Sequence, residues 1–167
     1  WGIQNIPEQK DKTIIITGAT SGLGKEATRV LAMKNATVIM AVRNTQKAEI
    51  VASEIRKEYA NVKIDIRSLD LSSLDSISSF AKGVLEDYKK LDILINNAGI
   101  TGPTAALWEY DVKMWKKVVD INLMGTFNCC RTIVPNMIKN NYGRIVNVAS
   151  VAGKDGNAYA SAYSVGK

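Results

Sequence analysis

Five short runs rich in β-branched residues alternate with stretches whose apolar residues recur at helical spacing. This alternation constrains the fold more than any other feature of the chain. The runs are TIIIT (13–17), TVIMAV (37–42), VKIDIRSLDL (62–71), LDILIN (91–96) and RIVNVAS (144–150). Between them, Leu23, Ala27, Val30 and Leu31 form one helical stripe, and Ala48, Val51, Ala52 and Ile55 a second. Leu74, Ile77, Ala81, Val84 and Tyr88 form a third, with Ser72 or Ser73 as its start and Asp75 close behind. A long helical stretch runs over about residues 110–140, with a bend or break expected around Gly125 and Pro135. After the fifth strand, AYSVGK (162–167) opens another helix. Strict alternation of this kind predicts an α/β fold, a parallel sheet covered by helices on both faces. No repeat or linker interrupts the pattern, so residues 1–167 read as a single domain. Its apolar content of 46% is enough for a core.

The residue inventory narrows the chemistry. The chain has no histidine, which excludes a Ser-His-Asp triad, a Cys-His pair and any histidine metal site. Proton transfer near neutral pH is left to Tyr, Lys, Asp, Glu or Cys. The two cysteines, Cys129 and Cys130, are adjacent and cannot staple a loop, so they read as small buried residues on a helix. The net charge is +6, but RKEY, DYKK and KMWKK lie in helical segments with acids nearby. Solvated helix faces, with no nucleic-acid partner, are the reading; an anionic small molecule also suits this balance. No apolar run is long enough to span a bilayer, and WGIQNIPEQKDK is too polar for a signal peptide. A cytoplasmic protein is expected. The missing initiator methionine leads us to expect an incomplete N-terminus.

Several residues could carry chemistry. TGATSGLG (17–24) places Gly18, Gly22 and Gly24 between the first strand and the first helix. Glycine there permits a tight turn and lets backbone N–H groups approach a pyrophosphate, although a purely structural turn uses the same residues. At the end of the second strand stand Val42 and Arg43, where a site selective for NAD would have an acid. With Arg43 there, and Lys25 and Arg29 in the first helix, NADP(H) is preferred and NAD(H) possible; Arg43 could also be a simple exposed helix leader. Tyr163 and Lys167 are one helical turn apart. A phenol titrates at about 10, and a nearby ammonium favours its ionised form. Such a pair could serve a carbonyl reduction, although YxxxK alone is usually surface decoration. Ser150 ends the fifth strand, where a parallel sheet collects its ligands, and could hydrogen-bond a reacting oxygen.

Taken together, these residues resemble the short-chain dehydrogenase/reductase superfamily over almost the whole chain. The resemblance rests on TGATSGLG, LDL (69–71), NNAG (96–99), IN (121–122), NVAS (147–150) and YSVGK (163–167), in family order. It implies a Rossmann-like, doubly wound sheet of strand order 3-2-1-4-5 and an oxidoreductase acting on a small carbonyl or alcohol. The glycine loop, with Thr20, Ser21 and Leu23 among its glycines, would hold the dinucleotide phosphates. Asp70 and Leu71 would flank the adenine, and Asn96, Ala98 and Gly99 would border the adenosine. Asn122 would hold a water in a proton relay and Ser150 would orient the carbonyl. Tyr163 would be the acid/base, and Lys167 would bind the nicotinamide ribose and assist it. The first half is similar to retinol-dehydrogenase-like members and the second to 3-oxoacyl-carrier-protein-reductase-like and sugar-dehydrogenase-like ones. Family members continue beyond YxxxK through further strands and a substrate-covering loop, so a C-terminally incomplete chain is expected. When full length, a homodimer or homotetramer is implied. A catalytically inactive dinucleotide-binding fragment and an interaction protein pairing through Trp115, Val118, Val119 and Phe127 are the alternatives.

Overall fold

The computed structural model describes residues 2–167. Five strands, β1 (Thr13–Thr17), β2 (Thr37–Val42), β3 (Lys63–Ser68), β4 (Ile93–Asn96) and β5 (Arg144–Asn147), form one parallel sheet in the order β3-β2-β1-β4-β5. The helices are α1 (Gly22–Met33), α2 (Thr45–Glu58), α3 (Leu74–Asp87), α4 (Val112–Val119), α5 (Gly125–Lys139), α6 (Val151–Asp155) and α7 (Ser161–Gly166). This is the Rossmann-like arrangement that the alternation and the resemblance led us to expect.

Each strand of a two-sided sheet must be apolar on both faces, which is why β1 reads Ile14-Ile15-Ile16 without a polar break. Ile14 and Ile16 face one way, with Val38 and Met40, against Ala48, Val51, Ala52 and Ile55 of α2 and Ala32 of α1. Ile15, Ile39 and Leu94 face the other way, against Ile77, Phe80 and Val84 of α3 and Cys129, Ile133 and Met137 of α5. Each fully buried isoleucine contributes about 1.5–3 kcal/mol relative to an exposed one. A third cluster of Tyr110, Val118 and Ala162 ties α4 to α7. The Asn44 side chain caps α2 by accepting from the Lys47 N–H at 2.8 Å, and Ser73 caps α3 by accepting from Ser76.

Several details depart from the expectations. Leu23 and Leu74 open their helices but are 71% and 66% exposed, because each helix turns toward the sheet only after its first residues. Phe127 is also largely exposed, whereas Val118 of the same proposed stripe is fully buried. β3 and β5 end at Ser68 and Asn147, short of the stretches 62–71 and 144–150, although Leu69 N–H still donates to Val42 and Val148 N–H to Asn96. A π-helical turn, Asp120–Met124, separates α4 from α5 just before Gly125, while α5 continues through Pro135. Such turns insert a residue into the helical ladder and are frequent at functional sites. No described helix is long and apolar enough to cross a membrane.

Candidate active site

The carboxyl ends of β1 and β4 are stapled together below the glycine loop. Thr17 Oγ1 accepts from the N–H groups of Asn97 and Ala98, both at 3.0 Å, and Asn97 Nδ2 donates to the carbonyls of Thr17 and Gly18. The chain then turns at Gly18 with φ 66° and at Gly22 with φ 52°. Both values favour glycine. At Gly18 the space is closed as well, since a Cβ would lie 2.8 Å from Ala98 Cα, whereas Gly22 is open. Gly24 is buried against Asn97 and the Gly18 carbonyl, so its smallness serves packing between loop and strand. Ser21 stands at the N-terminus of α1 in extended conformation without a side-chain cap, leaving first-turn N–H groups for another acceptor.

A cleft of about 440 Å³ opens at these strand ends. Gly18, Thr20 and Ser21 line one side; Arg43, Asn44, Lys47, Asp70 and Leu71 line another; Ala98, Gly99, Ile100 and Ile121 complete it. The Asp70 carboxylate accepts from the hydroxyl and N–H of Ser72 at 2.6 and 2.9 Å. These bonds, with the charges of Arg43 and Lys117 behind them, hold Asp70 below the usual carboxylate range. Leu71 is fixed from below by Gly125, where a Cβ would come within 2.8 Å of the Leu71 Cβ.

Three of the residues named from the sequence have other surroundings. Asn96 is buried beneath the cleft, where its Nδ2 donates to Asn147 at 2.9 Å and to the Cys130 sulfur at 3.3 Å; its neighbour Asn97 lines the cleft instead. Lys25 is paired with Glu54 at 2.6 Å and Arg29 with Glu26 at 2.6 Å, and neither lines the cleft. Arg43 does line it, joined by Lys47, which the sequence reading missed. The signal for Lys47 was its place in the first turn of α2, just after Arg43.

A second cleft, about 290 Å³, adjoins the first through their shared residues Asn97, Gly99 and Ile100. It is lined by Leu23, Thr101, Val148, Ala149, Ser150, Tyr163 and Lys167. The fold therefore brings Ser150, Tyr163 and Lys167 to one cavity, and Leu23 faces this cavity rather than the first. Ser150 caps α6, its hydroxyl oxygen accepting from Ala152 N–H at 3.2 Å, which leaves the O–H free to donate. Lys167 Nζ donates to the Val148 carbonyl at 3.0 Å. Asn122, inside the π-helical turn, accepts from Ile100 N–H and donates to Ile100 C=O, both at 2.9 Å. Its side chain thus clamps the segment after NNAG, and Gly99 lies against both it and Lys167. Cys129 takes no part: burial pushes its thiol up to about 12, and it stays protonated at neutral pH. No group of residues suited to hold a metal ion occurs among the described residues.

A glycine-lined loop at the ends of β1 and β4, a cationic rim after β2 and a hydroxyl-bearing cavity beside them define a dinucleotide-binding α/β domain. The model of the short chain dehydrogenase family matches residues 12–167, and the chain belongs to that family. It is 45% identical over 154 residues to 2-dehydro-3-deoxy-L-rhamnonate dehydrogenase (NAD(+)) of Sphingomonas sp., covering 92% of this chain and 59% of that protein. It is 37% identical over 156 residues to 3-oxoacyl-(acyl-carrier-protein) reductase FabG of Thermotoga maritima, covering 93% and 62%. The crystal structure of a metagenomic short-chain oxidoreductase in complex with NADP superposes with a TM-score of 0.90 at 31% identity, covering 96% of this chain and 72% of that one. The chain thus spans about three fifths of the length of these two curated relatives.

Proposed function

We propose that this chain provides the cofactor-binding and acid/base parts of an oxidoreductase that transfers a hydride between NADP(H) and a carbonyl or alcohol. The observation that carries the reading is the continuity of the two clefts, glycine loop and Arg43 at one end, Ser150, Tyr163 and Lys167 at the other. The free N–H groups at the start of α1 suit the pyrophosphate, and Asp70, Leu71 and Ala98 suit the adenosine. Bound there, the nicotinamide supplies and accepts the hydride. In reduction, Ser150 and Tyr163 donate hydrogen bonds to the substrate oxygen, and Tyr163 passes its proton to that oxygen as negative charge develops. Lys167, one turn further along α7, offsets the charge left on the phenolate, and reprotonation follows from solvent through the neighbourhood of Asn122. In oxidation the same proton moves the other way.

Arg43 and Lys47, with no acid at the end of β2, support NADP(H). An NAD-dependent sugar or alcohol dehydrogenase is the second reading, favoured by the 45% identity to a dehydrogenase named for NAD(+). That relative also brings a deoxy sugar acid into the range of substrates. Homodimeric or homotetrameric assembly belongs to the same proposal. The test follows cofactor absorbance with a panel of carbonyl substrates for the wild type and Tyr163→Phe. Turnover should fall at least about a hundredfold in the variant, with NADPH affinity unchanged; equal turnover in the two proteins sinks the mechanism.

A further inference from the structure

Between β4 and α4 the chain borders the second cleft as a span hydrogen-bonded only at its ends. Ile100 is clamped by Asn122 through both its N–H and its C=O. Ala105 N–H donates to the Tyr159 carbonyl at 3.0 Å, the second anchor. Between the anchors, Thr101, Gly102, Pro103 and Thr104 take part in no hydrogen bond among the described residues. Thr101 lines the cavity that holds Ser150 and Tyr163. The span rests on Tyr110, which is 7% exposed and packed with Val118 and Ala162, the residue before Tyr163. Gly102, at φ 71°, touches the phenol closely: a Cβ there would lie 2.5 Å from Tyr110 Oη and 2.7 Å from Val118 Cγ2. The Tyr110 hydroxyl is buried and has no hydrogen-bond partner among the described residues.

A buried hydroxyl without a partner is costly, and phenylalanine would fill the same space without that cost. We propose that Tyr110 is a positioning residue for substrate. A polar substrate group takes up the free N–H groups of Thr101, Gly102 and Thr104; the span lifts, and the Tyr110 hydroxyl donates to one of its carbonyl oxygens. Its unmet need in the free protein favours the engaged arrangement, adding to substrate affinity and not to the chemical step. The substrate class this selects is rich in acceptors beside the carbonyl, such as a hydroxylated oxo acid. The inference rests on the oxidoreductase reading above.

The test is Tyr110→Phe, with 2-keto-3-deoxygluconate and ethyl acetoacetate as probes. The variant should keep the melting temperature of the wild type or exceed it. Its KM for the sugar acid should rise about two- to tenfold, the worth of one net hydrogen bond, with kcat nearly constant and a smaller change for the ester. A lowered melting temperature with unchanged KM would make Tyr110 structural only and overturn the inference. Unchanged KM and melting temperature would do the same. If the wild type binds neither NADPH nor NADH, the oxidoreductase reading is at fault; if it binds them but turns over neither probe, the test moves from rates to binding. Fluorescence of Trp115, in the same cluster as Tyr110 and isolated by Trp1→Phe and Trp108→Phe substitutions, then decides the inference by binding of the sugar acid alone. Weaker binding in the variant upholds it, and equal or absent binding overturns it.

Discussion

Lys167 Nζ donates to the Val148 carbonyl at 3.0 Å, tying the end of α7 to the segment that leaves β5 two residues before Ser150. One bond thus joins the Tyr163 helix to the Ser150 strand end. Lys167→Met removes it and the charge together. Turnover should drop about a hundredfold or more, with a fall in melting temperature because Val148 loses its donor. Initial rates and melting curves on the same preparation check both. A variant as active as the wild type would leave Lys167 a surface tie only.

Arg43 and Lys47 are the cations that line the first cleft. A hydrogen bond to a charged group contributes about 1.5–3 kcal/mol, so Arg43→Ala should weaken NADPH binding about ten- to a hundredfold. NADH binding, which lacks the 2′-phosphate, should change little. Titration of cofactor fluorescence at one fixed salt concentration distinguishes the two. Equal losses for both cofactors would assign Arg43 to the fold rather than to selectivity.

Thr17 Oγ1 accepts two N–H groups, from Asn97 and Ala98. Thr17→Val keeps the shape and leaves both part-buried donors without that partner, at up to about 1–3 kcal/mol each. Denaturant unfolding should show a loss in that range, and cofactor affinity should fall with it because the staple positions both sides of the cleft. Thr17→Ser should recover most of each. Stability unaffected by Val would mean that water replaces the hydroxyl.

Asp92, at the opposite ends of the strands, has a side chain only 1% exposed and lies 2.8 Å from Lys90 and 3.5 Å from Lys12. Burial pushes its carboxyl up, but Lys90, the Thr13 N–H and Lys12 outweigh that and hold it below the ordinary value. A carboxyl depressed in the folded state stabilises the fold above its unfolded pKa of about 3.9. That contribution is lost as pH falls through the folded value. Wild-type stability should therefore drop on acidification below about pH 4, and Asp92→Asn should be less stable at neutral pH with a flatter acid limb. Parallel acid limbs in the two proteins would refute the assignment.

The order of the strands was implied by the family resemblance; the strands themselves and the two-sided core were legible because burial on both faces leaves an apolar run, and burial on one leaves a helical stripe. Those signals are local and survive in the sequence alone. So do the glycine loop and the four-residue spacing of Tyr163 and Lys167, which place side chains on one helical face without reference to the rest of the chain. Partners that meet through space leave no such trace. Lys25 looked as available as Arg43 until the fold set Glu54, 29 positions away, at 2.6 Å from it. Asn96 and Asn97 are alike in sequence, but strand alternation buries the first between β4 and β5 and turns the second to the cleft. Tyr110 carried no motif; only tertiary packing, with Gly102 against its hydroxyl and Val118 and Ala162 beside it, buries that group. The sequence by itself determined the architecture and the chemical groups on offer. The tertiary structure decided which of them remain free to act, because pairing and burial are set by contacts between segments distant along the chain.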